Sequence, residues 1–151
     1  MSTDRPRKFE DLTVGETRRS RGWQITEQEI FEFAKTYDPQ PFHLDHDAAR
    51  RSPFGGLIAS GMQTLAISRR LDHDSNLDLD VYCGLGYDSL RLLAPVRPGD
   101  VLTLESTILE LIPSASGKPR GRVVAVFKMF NQHDEVVMEA RGSYLVHCRN
   151  K

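Results

Sequence analysis

Residues 52–68, SPFGGLIASGMQTLAIS, carry no charged side chain in a chain that is 27% charged. From Leu57 to about Leu71 the apolar residues Ile58, Ala59, Met62, Leu65, Ala66 and Ile67 have only small or uncharged polar companions until Arg69 and Arg70. This spacing predicts a helix over 57–71, closed by arginines that suit the negative end of its dipole. A helix apolar on nearly every side is one surrounded by protein, so it is expected at the centre of the domain. At about 1.5 Å per residue it would run about 20 Å, enough to cross a small domain. The run is short for a membrane span and contains Gly, Ser, Gln and Thr. The leading MSTDRPRKFEDLTVGE has no apolar core of signal-peptide type, so no membrane partner is expected.

After this helix the chain changes period. The runs Leu77–Leu93, Val101–Ile112, Arg122–Asn131 and Val136–Arg149 alternate apolar and polar residues. In the last, Val136, Met138, Ala140, Gly142, Tyr144 and Val146 share one face, while Glu139, Arg141 and Ser143 take the other. That is the pattern of an antiparallel strand with one side buried. Arg97–Asp100 and Gln132–Glu135 read as tight turns, and Pro113–Gly121 as a flexible polar loop.

Before the helix, Glu16–Thr26 reads as a first strand. Thr26 and Glu29 form a T-x-x-E capping box for a second helix carrying Ile30, Phe31, Phe33, Ala34 and Tyr37. Asp38-Pro39 ends it, because the residue before proline is pushed out of helical space. Pro39 and Pro41 are expected to keep the next residues extended, and Asp45 to cap a short helical turn through Ala48 and Ala49. A helix-containing first half and a four-run antiparallel second half give an α+β fold, a sheet wrapped around one long helix. No repeat or linker divides the 151 residues, so one domain is expected over 1–151, with its core about 9–147.

Lys+Arg number 20 against 21 for Asp+Glu, a balance that argues against a nucleic-acid partner. The two cysteines, Cys83 and Cys148, are far apart and form no CxxC, which excludes a disulfide framework and fits a reducing cytoplasm.

The densest titratable cluster, Asp38, His43, Asp45, His46 and Asp47, directly precedes the uncharged run. Asp45 and Asp47 have ordinary roles as a cap and a first-turn carboxylate, and His46 is expected at the surface. Asp38 and His43 differ, since two prolines stiffen the interval between them and Phe42 gives His43 an apolar neighbour. A carboxylate and an imidazole facing one pocket can share acid–base work. His43-x-x-His46 lacks a third nitrogen or sulfur ligand at zinc spacing, so no metal is expected. Gly55, Gly56, Ser60 and Gly61 lie at the start of the apolar helix, where backbone N–H groups lack partners and can receive developing negative charge. That these glycines merely allow close packing is an equal alternative.

The elements D-P-Q-P-F-H-L-D (38–45), G-G-L-I-A-S-G-M (55–62) and P-V-R-P-G-D-V-L (95–102) together resemble the MaoC-like dehydratases, the (R)-specific enoyl-CoA hydratase group of the hotdog fold. The resemblance spans about Phe9 to His147. It implies an antiparallel sheet wrapped around a long helix, homodimerised side by side. It also implies that Asp38 and His43 are the catalytic pair and that the Gly61 N–H receives the thioester oxygen. Gln40, Pro41, Phe42, Gly56, Ser60 and Met62 become expected substrate contacts. Gln40 stands where the family often has Asn, and Ser60 where it often has His. The implied reaction is hydration of a trans-2-enoyl-CoA, with coenzyme A as part of the substrate and no cofactor. Arg69, Arg70, Lys118 and Arg120 are candidates for its phosphates, and residues 57–71 with the strand near Tyr82–Tyr87 for its acyl pocket. Thioester hydrolysis on the same fold and a silent acyl-CoA-binding module are the alternatives.

Overall fold

A computed structural model describes residues 5–149; the ends of the expected domain, residues 1–4 and 150–151, lie outside the described residues. The elements are β1 (Thr17–Gln24), α1 (Glu27–Tyr37), α2 (Pro41–Leu44), α3 (His46–Arg51), α4 (Gly61–Ser75), β2 (Val81–Leu92), β3 (Val101–Pro113), β4 (Arg120–Phe130) and β5 (Val136–His147). The strands form one antiparallel sheet in the order β1-β3-β4-β5-β2, and α4 packs across β1, β3 and β5.

Local chemistry sets most boundaries. The Thr26 hydroxyl accepts from the Glu29 N–H at 3.2 Å, while the Glu29 carboxylate accepts from the Thr26 N–H at 2.7 Å, which completes the capping box of α1. Asp38 closes that helix before Pro39. The Asp45 carboxylate accepts from the Ala48 N–H at 2.7 Å and opens α3. The expectation that the two prolines keep the chain extended holds only as far as Gln40. Pro41 instead occupies the first position of α2, where its missing N–H has no role to fill and its ring favours helical φ.

The long helix also departs from the expected 57–71. It begins a full turn later, at Gly61, because Ile58 and Ala59 send their hydrogen bonds elsewhere. The Ala59 N–H donates to the Val96 carbonyl at 2.8 Å and the Ile58 N–H to the Phe42 carbonyl at 3.3 Å. At the other end it continues past Arg69 and Arg70 to Ser75, since Asp72 takes Arg69 at 2.9 Å and Asp74 takes Arg70 at 3.1 Å. Nor is α4 enclosed on every side. Gln63, Thr64, Ile67, Ser68 and Leu71 are buried, whereas Met62, Ala66, Arg69 and Arg70 are exposed.

The core lies between that buried stripe and alternate residues of the sheet. Ile67 and Leu71 join Leu102 and Leu104 of β3, Ala125, Phe127 and Met129 of β4, and Met138 and Ala140 of β5, the face of β5 that its alternation predicts. Strand β2 sits at the sheet edge and is exposed along almost its whole length, including Val81, Tyr82, Leu85, Tyr87 and Leu92. It approaches β5 closely at Gly142, where any Cβ would meet the Tyr87 ring and the Gly86 carbonyl.

Candidate active site

Every buried polar side chain among the described residues belongs to α2 or to α4 and its cap. These are His43, Ser60, Gln63, Thr64 and Ser68. Burying polar groups is unfavourable unless each finds a partner, and two of these, His43 and Thr64, face one cavity. The cavity holds about 560 Å³. Phe42, Phe54, Ile58 and Ala59 form one part of its wall; Leu92, Leu93, Ala94, Pro95, Val96 and Val137 form another. The polar groups facing it come from Asp38, Gln40, His43, Gly61 and Thr64.

His43 is held in a defined protonation pattern. Its Nδ1 lies 2.7 Å from the Ile58 carbonyl, which can only accept, so Nδ1 carries the proton. In the neutral ring Nε2 is then a bare acceptor, and it lies 3.4 Å from Oδ2 of Asp38. A deprotonated Nε2 and a carboxylate oxygen cannot hydrogen-bond each other. Both can accept from a single water or hydroxyl placed before them. Phe42 packs edge-on against the imidazole at 4.6 Å and against Phe54 at 5.3 Å, so the pair lies beside an apolar wall.

Opposite in charge character is the start of α4. Ser60 caps it, its hydroxyl accepting from the Met62 N–H at 3.2 Å, while the Gln63 and Thr64 N–H groups donate to the Ser60 carbonyl at 3.0 and 3.2 Å. Among the described residues nothing accepts from the Gly61 N–H, which leaves one oriented donor at the positive end of the helix. A Cβ at Gly61 would collide with the Leu92 side chain, so the packing reason for glycine is present.

Residues 9–126 match the MaoC like domain. The chain belongs to the MaoC-like domain family. It is 41% identical to a MaoC-like dehydratase from Rhodospirillum rubrum whose crystal structure superposes with a TM-score of 0.89, covering 95% of this chain and 99% of that one. A 3-hydroxybutyryl-CoA dehydratase of Methylorubrum extorquens is 35% identical over 136 residues, 89% of this chain and 80% of its own length. An uncharacterized Bacillus subtilis protein, YdeM, is 29% identical over 140 residues, 92% of this chain and 98% of its own. The MaoC-like chain therefore has the hotdog arrangement of a sheet and one long helix.

Of the residues singled out from the sequence, Asp38, His43, Gly61, Gln40 and Phe42 line the cavity of this MaoC-like domain. Ser60 lies just behind the cavity wall, wholly buried, with its hydroxyl 2.7 Å from Oδ2 of Asp38. Pro41, Gly56 and Met62 are placed elsewhere: Pro41 is exposed on α2, Gly56 lies beside Arg97, and Met62 lines a second groove of about 370 Å³ on another side of α4. Tyr87 borders that groove too, and Tyr82 packs against His147 and under Arg120, so the Tyr82–Tyr87 stretch does not wall the cavity. Tyr144 of the same groove is pushed up to about 12 by burial, with Asp72 adding to the effect, and stays a neutral hydroxyl at ordinary pH. His46 is paired with Glu27 and takes no part in the cavity.

Ile58, Ala59 and Thr64, within the expected acyl-pocket range 57–71, line the cavity, whereas sequence reasoning missed residues 92–96 and Val137 as part of its wall. Their only legible signal was the P-V-R-P-G-D element, whose valine, Val96, is buried and accepts from Ala59.

Proposed function

We propose that this MaoC-like domain is a hydro-lyase that reversibly adds water to a trans-2-enoyl-CoA, giving an (R)-3-hydroxyacyl-CoA. The observation that carries the reading is the pair of acceptors 3.4 Å apart, Nε2 of His43 and Oδ2 of Asp38, in the cavity that also receives the unpartnered Gly61 N–H. A water donating one proton to each acceptor presents its oxygen to C3 of the substrate. As the new C–O bond forms, His43 takes a proton and the carboxylate beside it offsets the imidazolium charge. Electron density moves through the double bond to the thioester oxygen, which the Gly61 N–H stabilises; such a donor is typically worth ~3 kcal/mol in the transition state. The proton then passes to C2 on the same face, which returns His43 to its starting state and makes the addition syn. Water, two proton acceptors and one N–H suffice for this chemistry, so the reading calls for no cofactor, and coenzyme A enters as part of the substrate.

The names of the R. rubrum structure and of the M. extorquens relative support dehydratase chemistry, the same reaction run in reverse. The mainly apolar wall fits an acyl chain. The exposed apolar edge strand β2 supports a homodimer in which two copies pair through β2 and their sheets become continuous. No helix among the described residues is long and apolar enough to cross a membrane. We place the enzyme in the cytoplasm, where acyl-CoA substrates are found.

The test is to mix purified protein with crotonyl-CoA and with a longer trans-2-enoyl-CoA, following the enoyl absorbance and free thiol together. Loss of the enoyl band without thiol release is the expected result. Thiol release would move the function to thioester hydrolysis, and acyl-CoA binding with neither signal would make it a binding module.

A further inference from the structure

We infer that Ser60 is a positioning residue, whose single hydroxyl fixes the Asp38 carboxylate to the start of α4 so that the acid–base pair and the Gly61 donor are set as one unit. The inference rests on the hydration reading. Ser60 is wholly buried, and its Oγ makes two hydrogen bonds of opposite sense. The Met62 N–H can only donate, so at 3.2 Å Oγ must accept. Its one proton is thereby left for Oδ2 of Asp38 at 2.7 Å, a charge-assisted bond between residues 22 apart in sequence.

Capping alone does not account for this arrangement. A cap needs only an acceptor, and glycine serves nearly as well as serine at that position. Donation to a carboxylate on another helix is an additional function. Asp38 needs it, because it follows the last residue of α1, its side chain is 30% exposed, and the same Oδ2 must face Nε2 of His43. A carboxylate held on one side only by an imidazole acceptor has no attractive contact there to stop its rotation. The Ser60 proton supplies one, and misplacement of a reacting group by about 1 Å typically costs ~10²-fold in rate.

The experiment compares Ser60→Ala, Ser60→Gly and Ser60→Thr with wild type in crotonyl-CoA hydration, alone and combined with Asp38→Asn, with melting temperatures measured throughout. We expect kcat to fall roughly 10–100-fold in Ser60→Ala and Ser60→Gly with KM changed less than about twofold. Ser60→Thr, which retains the hydroxyl, should keep at least about half of the wild-type kcat. In the Asp38→Asn background, Ser60→Ala should alter the residual rate by less than about twofold, because the group it positions is gone. An equal loss in both backgrounds would mean that Ser60 acts through the helix start and not through Asp38, and would overturn the inference. So would a Ser60→Gly protein that keeps more than half of wild-type kcat. Wild type inert toward every enoyl-CoA would defeat the hydration reading and this role within it together, a pattern distinct from an active wild type indifferent to Ser60.

Discussion

Asp38→Asn separates chemistry from architecture, because asparagine keeps the volume and loses only the charge and one acceptor. In the native pair Oδ2 accepts from Ser60 at 2.7 Å and faces the bare Nε2 of His43 at 3.4 Å. Asparagine can put only one of its two terminal groups where Oδ2 stood, and with the NH₂ there the Ser60 hydroxyl loses its charged acceptor, about 1 kcal/mol. That NH₂ group, turned toward Nε2, gains a hydrogen bond that the carboxylate could not make, which returns roughly the same amount. The fold should therefore hold, with a melting temperature within about 3 °C of wild type for a domain of this size. Turnover should not. The new N–H occupies the lone pair meant for water, and the carboxylate acceptor is gone, so kcat/KM for crotonyl-CoA should fall by ~10²–10⁴, about 3–5 kcal/mol of transition-state stabilisation. Initial rates of enoyl absorbance loss and a calorimetric melt on the same preparation measure both. A folded variant keeping more than a tenth of wild-type kcat/KM would refute the acid–base assignment. A loss of activity matched by a melting temperature more than 10 °C lower would instead make Asp38 structural.

Gly61→Ala should crowd Leu92, costing ~1–3 kcal/mol, partly offset by the better helix propensity of alanine, ~1 kcal/mol. Its kcat should drop about 100-fold through the disturbed N–H; a kcat within threefold of wild type would remove Gly61 from the mechanism. Asp78 accepts two bonds from Arg18, at 2.8 and 3.0 Å, and these hold its carboxyl below the ordinary value of 3.8. A lowered carboxyl stabilises the fold above its unfolded value and loses that contribution as pH falls through the folded one. Asp78→Asn should therefore cost roughly 0.5 kcal/mol at pH 7 after solvent screening and nothing once the pH is below the folded value; a deficit unchanged in acid would show that charge is not the cause. Leu85→Glu on the exposed edge strand should shift the protein toward monomer in sedimentation, whereas unchanged mass would place any interface elsewhere.

Features decided within a few residues of sequence were legible. The Thr26/Glu29 box, the Asp38-Pro39 stop and the Asp45 cap each depend on side chains acting on backbone three residues away or fewer, and each stands where expected. The alternation of β5 likewise named its buried face. The start of α4 was not legible. Leu57, Ile58 and Ala59 have the composition of a buried helix, but the backbone of Ile58 and Ala59 is claimed by Phe42 and by Val96, partners that no local pattern announces. The cavity wall from β2 and β5 was missed for the same reason, since sheet order and not residue type brings Leu92 and Val137 beside His43.

By itself the sequence determined the kinds of group present and their short-range order: a carboxylate and an imidazole stiffened by prolines, then small residues opening a helix, then four alternating runs. Tertiary structure decided which atoms face one another. The Ile58 carbonyl sets the His43 tautomer across 15 residues, and the Ser60 hydroxyl ties Asp38 to α4 across 22. Hydrogen bonds act over about 3 Å, so contacts between residues this far apart exist only once the fold has closed the loops between them.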